Sequence, residues 1–139
     1  MKILYTAVAK ADGGRQGGHV RSNDGNLDLP IAPPSEMGGS GEGTNPEQLF
    51  AAGYAACFGS AVELVGRRMK QDVSDASVTA HVGLGATGDG GFGLEVELHV
   101  ELPHADDAQA VVEKAHEVCP YSNATRGNID VRLVMPAAA

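Results

Sequence analysis

The 139-residue chain has no tryptophan, three phenylalanines, three tyrosines and two cysteines. Aromatic platforms on which bases could stack are therefore scarce. Positive charge is scarce too. Ten Lys and Arg stand against eighteen Asp and Glu, a formal charge of -8 that repels phosphate backbones and anionic membranes. Neither nucleic acid nor a membrane is an expected partner. The longest uncharged apolar run, Leu49 to Val62, has fourteen residues, whereas a spanning helix needs about 20. The apolar stretch from Ile3 to Ala9 is shorter than a secretory h-region and is interrupted by Tyr5 and Thr6, so it reads as a strand. The expected compartment is then the reducing cytoplasm, where lasting disulfides are rare and transient ones are usually catalytic. By the same reasoning the sequon Asn123-Ala124-Thr125 is a chance match.

The length suits a single domain over residues 1–139. Ile3 to Lys10 and His19 to Ser22 read as strands of a hairpin whose glycine-rich tip carries Arg15, and Leu27 to Leu29 reads as a third strand closed by Pro30. Pro33 to Gly43 reads as a flexible loop. Asn45 before Pro46 is an N-cap followed by proline at the first helical position, and helix formers continue to about Lys70. Between Leu49 and Val62 that central helix carries no charge on any side, so it must be buried nearly all round. Its small residues, among them Ala52, Gly53, Ala56, Gly59 and Ser60, suit close packing against a partner chain, with packing under a sheet as the alternative. Ala76 to Leu84 and Leu94 to Leu102 alternate apolar and polar residues as a half-buried hairpin does. Their connection contains Gly88-Asp89-Gly90-Gly91-Phe92-Gly93. That pattern matches a dinucleotide fingerprint but joins two strands where the motif requires a strand leading into a helix. Asp106 to Val118 reads as an amphipathic helix ended by Cys119-Pro120, and Asn128 to Met135 as a last strand. The order describes an α+β domain without regular βαβ alternation.

A cysteine in an apolar helix, such as Cys57, is more often an inert core thiol than a nucleophile. Burial raises its pKa, so catalysis needs a cation beside it. At an effective dielectric near 20, a charge about 4 Å away contributes roughly 4 kcal/mol, enough to offset such burial. Arg15 is one candidate, although an exposed arginine on a hairpin tip is the plainer reading. A guanidinium taken out of water needs an acceptor, and Glu47 could supply it, although a glutamate in a first helical turn also simply complements the helix dipole. The two cysteines and five histidines lack C-x-x-C and H-E-x-x-H, so no metal is expected. His81 and His99 are expected to face solvent or to hydrogen-bond on their strands.

The segment from Asn45 to Phe58, NPEQLFAAGYAACF, resembles the first cysteine segment of the organic hydroperoxide resistance proteins, one branch of the OsmC-like superfamily. CPYSNATRGN from Cys119 to Asn128 resembles the second, and Gly14-Arg15-Gln16-Gly17 resembles the amino-terminal arginine turn. The resemblance runs over essentially the whole chain. It implies an intertwined α+β homodimer of the OsmC-like fold, with antiparallel sheets around a long buried helix and active sites at the subunit interface. It also implies that Cys57 is the peroxidatic cysteine and Cys119 the resolving one, that Arg15 stabilises the thiolate, and that Glu47 orients Arg15. The implied substrate is an organic hydroperoxide. The implied reductant is a dihydrolipoyl group on a partner protein, with no resident metal or organic cofactor. Phe50 and Phe58 are expected to line an apolar approach to the thiol. Two other readings stand beside this one: an osmotically inducible branch peroxidase of different substrate range, and a non-enzymatic thiol sensor.

Overall fold

A computed structural model describes residues 1–136. The chain gathers into two units, Met1–Leu49 and Phe50–Ala139.

The first unit is built on a three-stranded antiparallel sheet in the order β1 (Ala9–Gly14), β2 (Gly17–Ser22), β3 (Asp28–Ile31). The β1–β2 connection is tight enough to require glycine. Gly13 has φ 85°, and a Cβ there would stand 2.3 Å from the Gly17 carbonyl oxygen. Its residues Arg15 and Gln16 form the tip. β1 begins at Ala9, not at Ile3. Ala9 pairs with Ser22, after which β2 turns away through Ser22 to Leu27, so nothing on β2 stands opposite the residues before Ala9. Ile3, Leu4, Tyr5 and Val8 are left exposed outside any strand. Pro30 lies inside β3 opposite His19, and an outer strand tolerates its missing donor. The stretch expected as a loop contains a single 3-10 turn at Ser35–Met37.

Helix α1 (Pro46–Met69) starts and ends within a residue of the expected limits, and Asn45 Oδ1 accepts from the Gln48 amide as its N-cap. The second unit packs α1 with α2 (Ala108–Val118) and a three-stranded sheet in the order β4 (Ser77–Ala86), β5 (Phe92–Glu101), β6 (Val131–Val134). Val96, Leu98 and Val100 of β5 alternate inward and are fully buried with Tyr54, Phe58, Val62 and Val65 of α1 and Val111, Val112 and Ala115 of α2. β4 and β5 form the expected antiparallel hairpin, and the glycine-rich connection between them leads into a strand. After α2, which matches the expected amphipathic helix, come a short helix α3 (Pro120–Thr125) and β6, which pairs parallel to β5; the residue pattern disclosed neither α3 nor the parallel pairing.

By length and composition α1 could cross a membrane, because its helical length exceeds the uncharged run inside it. In the fold it is the core helix of the second unit. Its burial is one-sided, with Ala52, Ala56 and Ser60 exposed along the opposite face. The expectation of a helix buried all round therefore does not hold within one chain.

Candidate active site

Cys57 lies half-buried on α1, between the buried positions Tyr54 and Phe58. Cys119 is fully buried where α2 ends and α3 begins, in extended conformation (φ -63°, ψ 125°), with Pro120 opening the next helix. That sharp junction turns its side chain onto α1. Cys119 Sγ lies 3.5 Å from Cys57 Sγ, and both are free thiols. Burial pushes the Cys57 thiol up from its ordinary value, and the neighbouring Cys119 adds to the rise. A hydrogen bond from the Tyr121 backbone amide, in the first turn of α3, acts the other way.

A buried polar chain fixes the helix that follows Cys119. The Tyr54 hydroxyl lies 2.8 Å from Ser122 Oγ and 3.2 Å from Thr125 Oγ1, and His116 Nδ1 lies 2.8 Å from Ser122 Oγ. Burial, with Arg126 nearby, lowers the His116 pKa, which favours the neutral imidazole. Sequence reasoning missed Tyr54, His116, Ser122 and Thr125. The available signal was the Tyr54 hydroxyl, since a tyrosine inside a buried helix needs a partner.

Phe50, Tyr54 and Tyr121 form an aromatic cluster with ring centroids 5.6 to 6.3 Å apart. Gly53 makes room for it, because a Cβ there would meet the Tyr121 hydroxyl at 2.8 Å. Phe50 is half-buried beside these rings, but Phe58 is fully buried in the core and lines no approach. Its position one turn from Tyr54 on the inward face of α1 explains the difference.

In the first unit, Arg15 and Glu47 form a two-point ion pair, Nη1 to Oε2 at 2.7 Å and Nη2 to Oε1 at 2.8 Å. The hydrogen bond holds the Glu47 carboxyl below its usual range and raises Arg15 further above its own. The Arg15 and Glu47 side chains are 33% and 16% exposed, so the pair is partly withdrawn from water. Arg15 is thus no free surface cation. Because α1 is unbroken, Glu47 and Cys57 stand about 15 Å apart along its axis, at about 1.5 Å per residue.

The site residues thus fall into a dithiol in one unit and a fixed guanidinium in the other. Residues 39–134 match the family model described as OsmC-like protein. A relative from Xanthomonas axonopodis pv. citri, called organic hydroperoxide resistance protein, is 54% identical over 138 residues, covering 96% of each chain. A crystal structure of an organic hydroperoxide resistance protein from Legionella pneumophila superposes with a TM-score of 0.91 at 54% identity, over 98% of this chain and 100% of that one. A putative organic hydroperoxide resistance protein from Vibrio cholerae, with captopril bound in one of its active sites, gives a TM-score of 0.93 at 49% identity. It covers 100% of this chain and 96% of its own.

Proposed function

Because this chain belongs to the OsmC-like family, and within it to the organic hydroperoxide resistance branch, we propose that it is a thiol-dependent peroxidase that reduces alkyl or lipid hydroperoxides to alcohols. The observation that carries the reading is the 3.5 Å approach of a half-buried and a buried free thiol. Cys57 thiolate attacks the distal peroxide oxygen. The O–O bond breaks, the alkoxide leaves and takes up a proton as alcohol, and Cys57 becomes a sulfenic acid. Cys119 sulfur then displaces the hydroxyl as water and forms a disulfide, whose S–S length of about 2.05 Å asks for an approach of roughly 1.5 Å more. An external dithiol such as a protein-bound dihydrolipoyl group reduces that disulfide by exchange and is itself oxidised to the cyclic disulfide. The protein supplies no metal or organic cofactor in this cycle, and its expected place is the cytoplasm.

The desolvated Cys57 needs a cation, and the Arg15–Glu47 pair is the group proposed to supply it. The proposed assembly is a homodimer in which Glu47 of one copy serves Cys57 of the other. Two features support a second copy: the apolar side chains Ile3, Leu4, Tyr5 and Val8 left in water, and the uncharged face of Ala52, Ala56 and Ser60 on α1.

The test is consumption of an organic hydroperoxide with catalytic dithiol, comparing the protein with Cys57→Ser. Turnover should vanish in the variant; retained turnover would remove Cys57 from its role.

A further inference from the structure

Away from the thiols, the outward face of the β4–β5–β6 sheet brings together three metal-ligating side chains. His81 and Glu97 stand directly opposite each other across β4 and β5, and His99 follows Glu97 two residues on, hence on the same face. One donor atom from each of the three lies within 4.8 Å of the others. The imidazole rings of His81 and His99 have centroids 4.3 Å apart, and His99 Nε2 is 3.4 Å from Glu97 Oε1. Across the other side of β5, Arg132 pairs with Glu97 and its Nη2 holds Oε2 at 2.8 Å. The carboxylate is therefore pinned, with Oε1 left toward the imidazoles.

We propose that His81, Glu97 and His99 form a binding site for a divalent transition-metal ion of the zinc or copper(II) class. Two imidazoles and one carboxylate are the ligand types that such ions prefer, whereas calcium and magnesium seek oxygen alone. Tetrahedral zinc with bonds of about 2.0–2.2 Å would set the donors about 3.3 Å apart. The present spacing closes to that by rotation of side chains that are exposed or half-exposed. Glu95 and Glu101 share the β5 face and add negative charge around the ion, with Arg132 as an opposing cation on Glu97. The site has three protein ligands, which leaves a fourth position for water. It is independent of the peroxidase reading.

The test removes the competing thiols with the full-length Cys57→Ser/Cys119→Ser variant and titrates it with zinc chloride by calorimetry. Copper(II) paramagnetic resonance then reports the ligand atoms. One equivalent should bind, with nitrogen hyperfine structure from two imidazoles, and the melting temperature should rise with zinc because the ion ties β4 to β5. His81→Ala and His99→Ala, each made in that background, should weaken binding at least about tenfold, and Glu97→Gln should weaken it too. Circular dichroism of each variant checks that the sheet is intact. No binding at hundred-micromolar zinc, or binding that survives loss of either histidine in a folded variant, would overturn the proposal.

Discussion

The hydroxyl of Tyr54 lies 2.8 Å from Ser122 Oγ, so the residue three positions before Cys57 on α1 holds the residue three positions after Cys119 on α3. Distance between the thiols is thereby tied to a buried hydrogen bond. Tyr54→Phe should cost only about 1 kcal/mol, because Ser122 keeps His116 and Thr125 keeps the Ser122 carbonyl. Its larger effect should fall on disulfide closure. Rapid-mixing measurements should find formation of the Cys57 sulfenic acid little changed and its condensation with Cys119 slowed.

Arg15 and Glu47 make a second set of expectations. Removing the cation in Arg15→Ala should move the pH profile of Cys57 alkylation upward, toward or above the free value of about 8.5. An unchanged profile would leave Arg15 as a structural ion-pair partner only. For Glu47 the folded pKa is depressed by Arg15, so the pair stabilises the fold fully above the ordinary value of 4.5 and progressively less as pH falls through the lower folded value. Glu47→Gln should therefore flatten the dependence of stability on pH below about 4.5, measured by denaturant unfolding at fixed pH values.

The uninterrupted α1 bears on which chain supplies Glu47. With about 15 Å of helix between Glu47 and Cys57, service to a second copy's thiol is the proposed solution. Mixing Glu47→Ala chains with Cys57→Ser chains, each inactive alone, should restore part of the activity after subunit exchange. Absence of recovery with exchange verified would assign both residues of each site to one chain.

Some of this was readable in the residues and some was not, for physical reasons. Asn45-Pro46 marked the start of α1 because capping is local chemistry, and the alternation of Val96, Leu98 and Val100 marked β5 because burial follows strand period. Ile3 to Val8 looked like a strand by composition, yet a strand needs an edge to pair with, and β2 offers none there. α3 is six residues long, too short to show a helical period. The Cys57–Cys119 contact was named through family resemblance; nothing in a separation of sixty-two positions discloses it. His81 and His99 read as solvent-facing or hydrogen-bonded strand residues and not as neighbours, because metal motifs are read by short spacing, whereas a sheet makes neighbours of residues eighteen positions apart.

The reductant is open to direct comparison. Dihydrolipoamide should support faster turnover than glutathione or thioredoxin at matched concentrations. Equal rates with all three would remove the ground for a lipoyl-bearing donor.

The central claim is a division of labour between the thiols, and mass spectrometry of Cys119→Ser tests it most directly. With organic hydroperoxide and no reductant, that variant should turn over once and carry one added oxygen on Cys57, then two and three as excess peroxide drives it to sulfinic and sulfonic acid. The unaltered protein under the same treatment should instead lose two hydrogens as the Cys57–Cys119 disulfide. Oxygen added elsewhere, or a Cys57 left unmodified in the variant, would contradict the account.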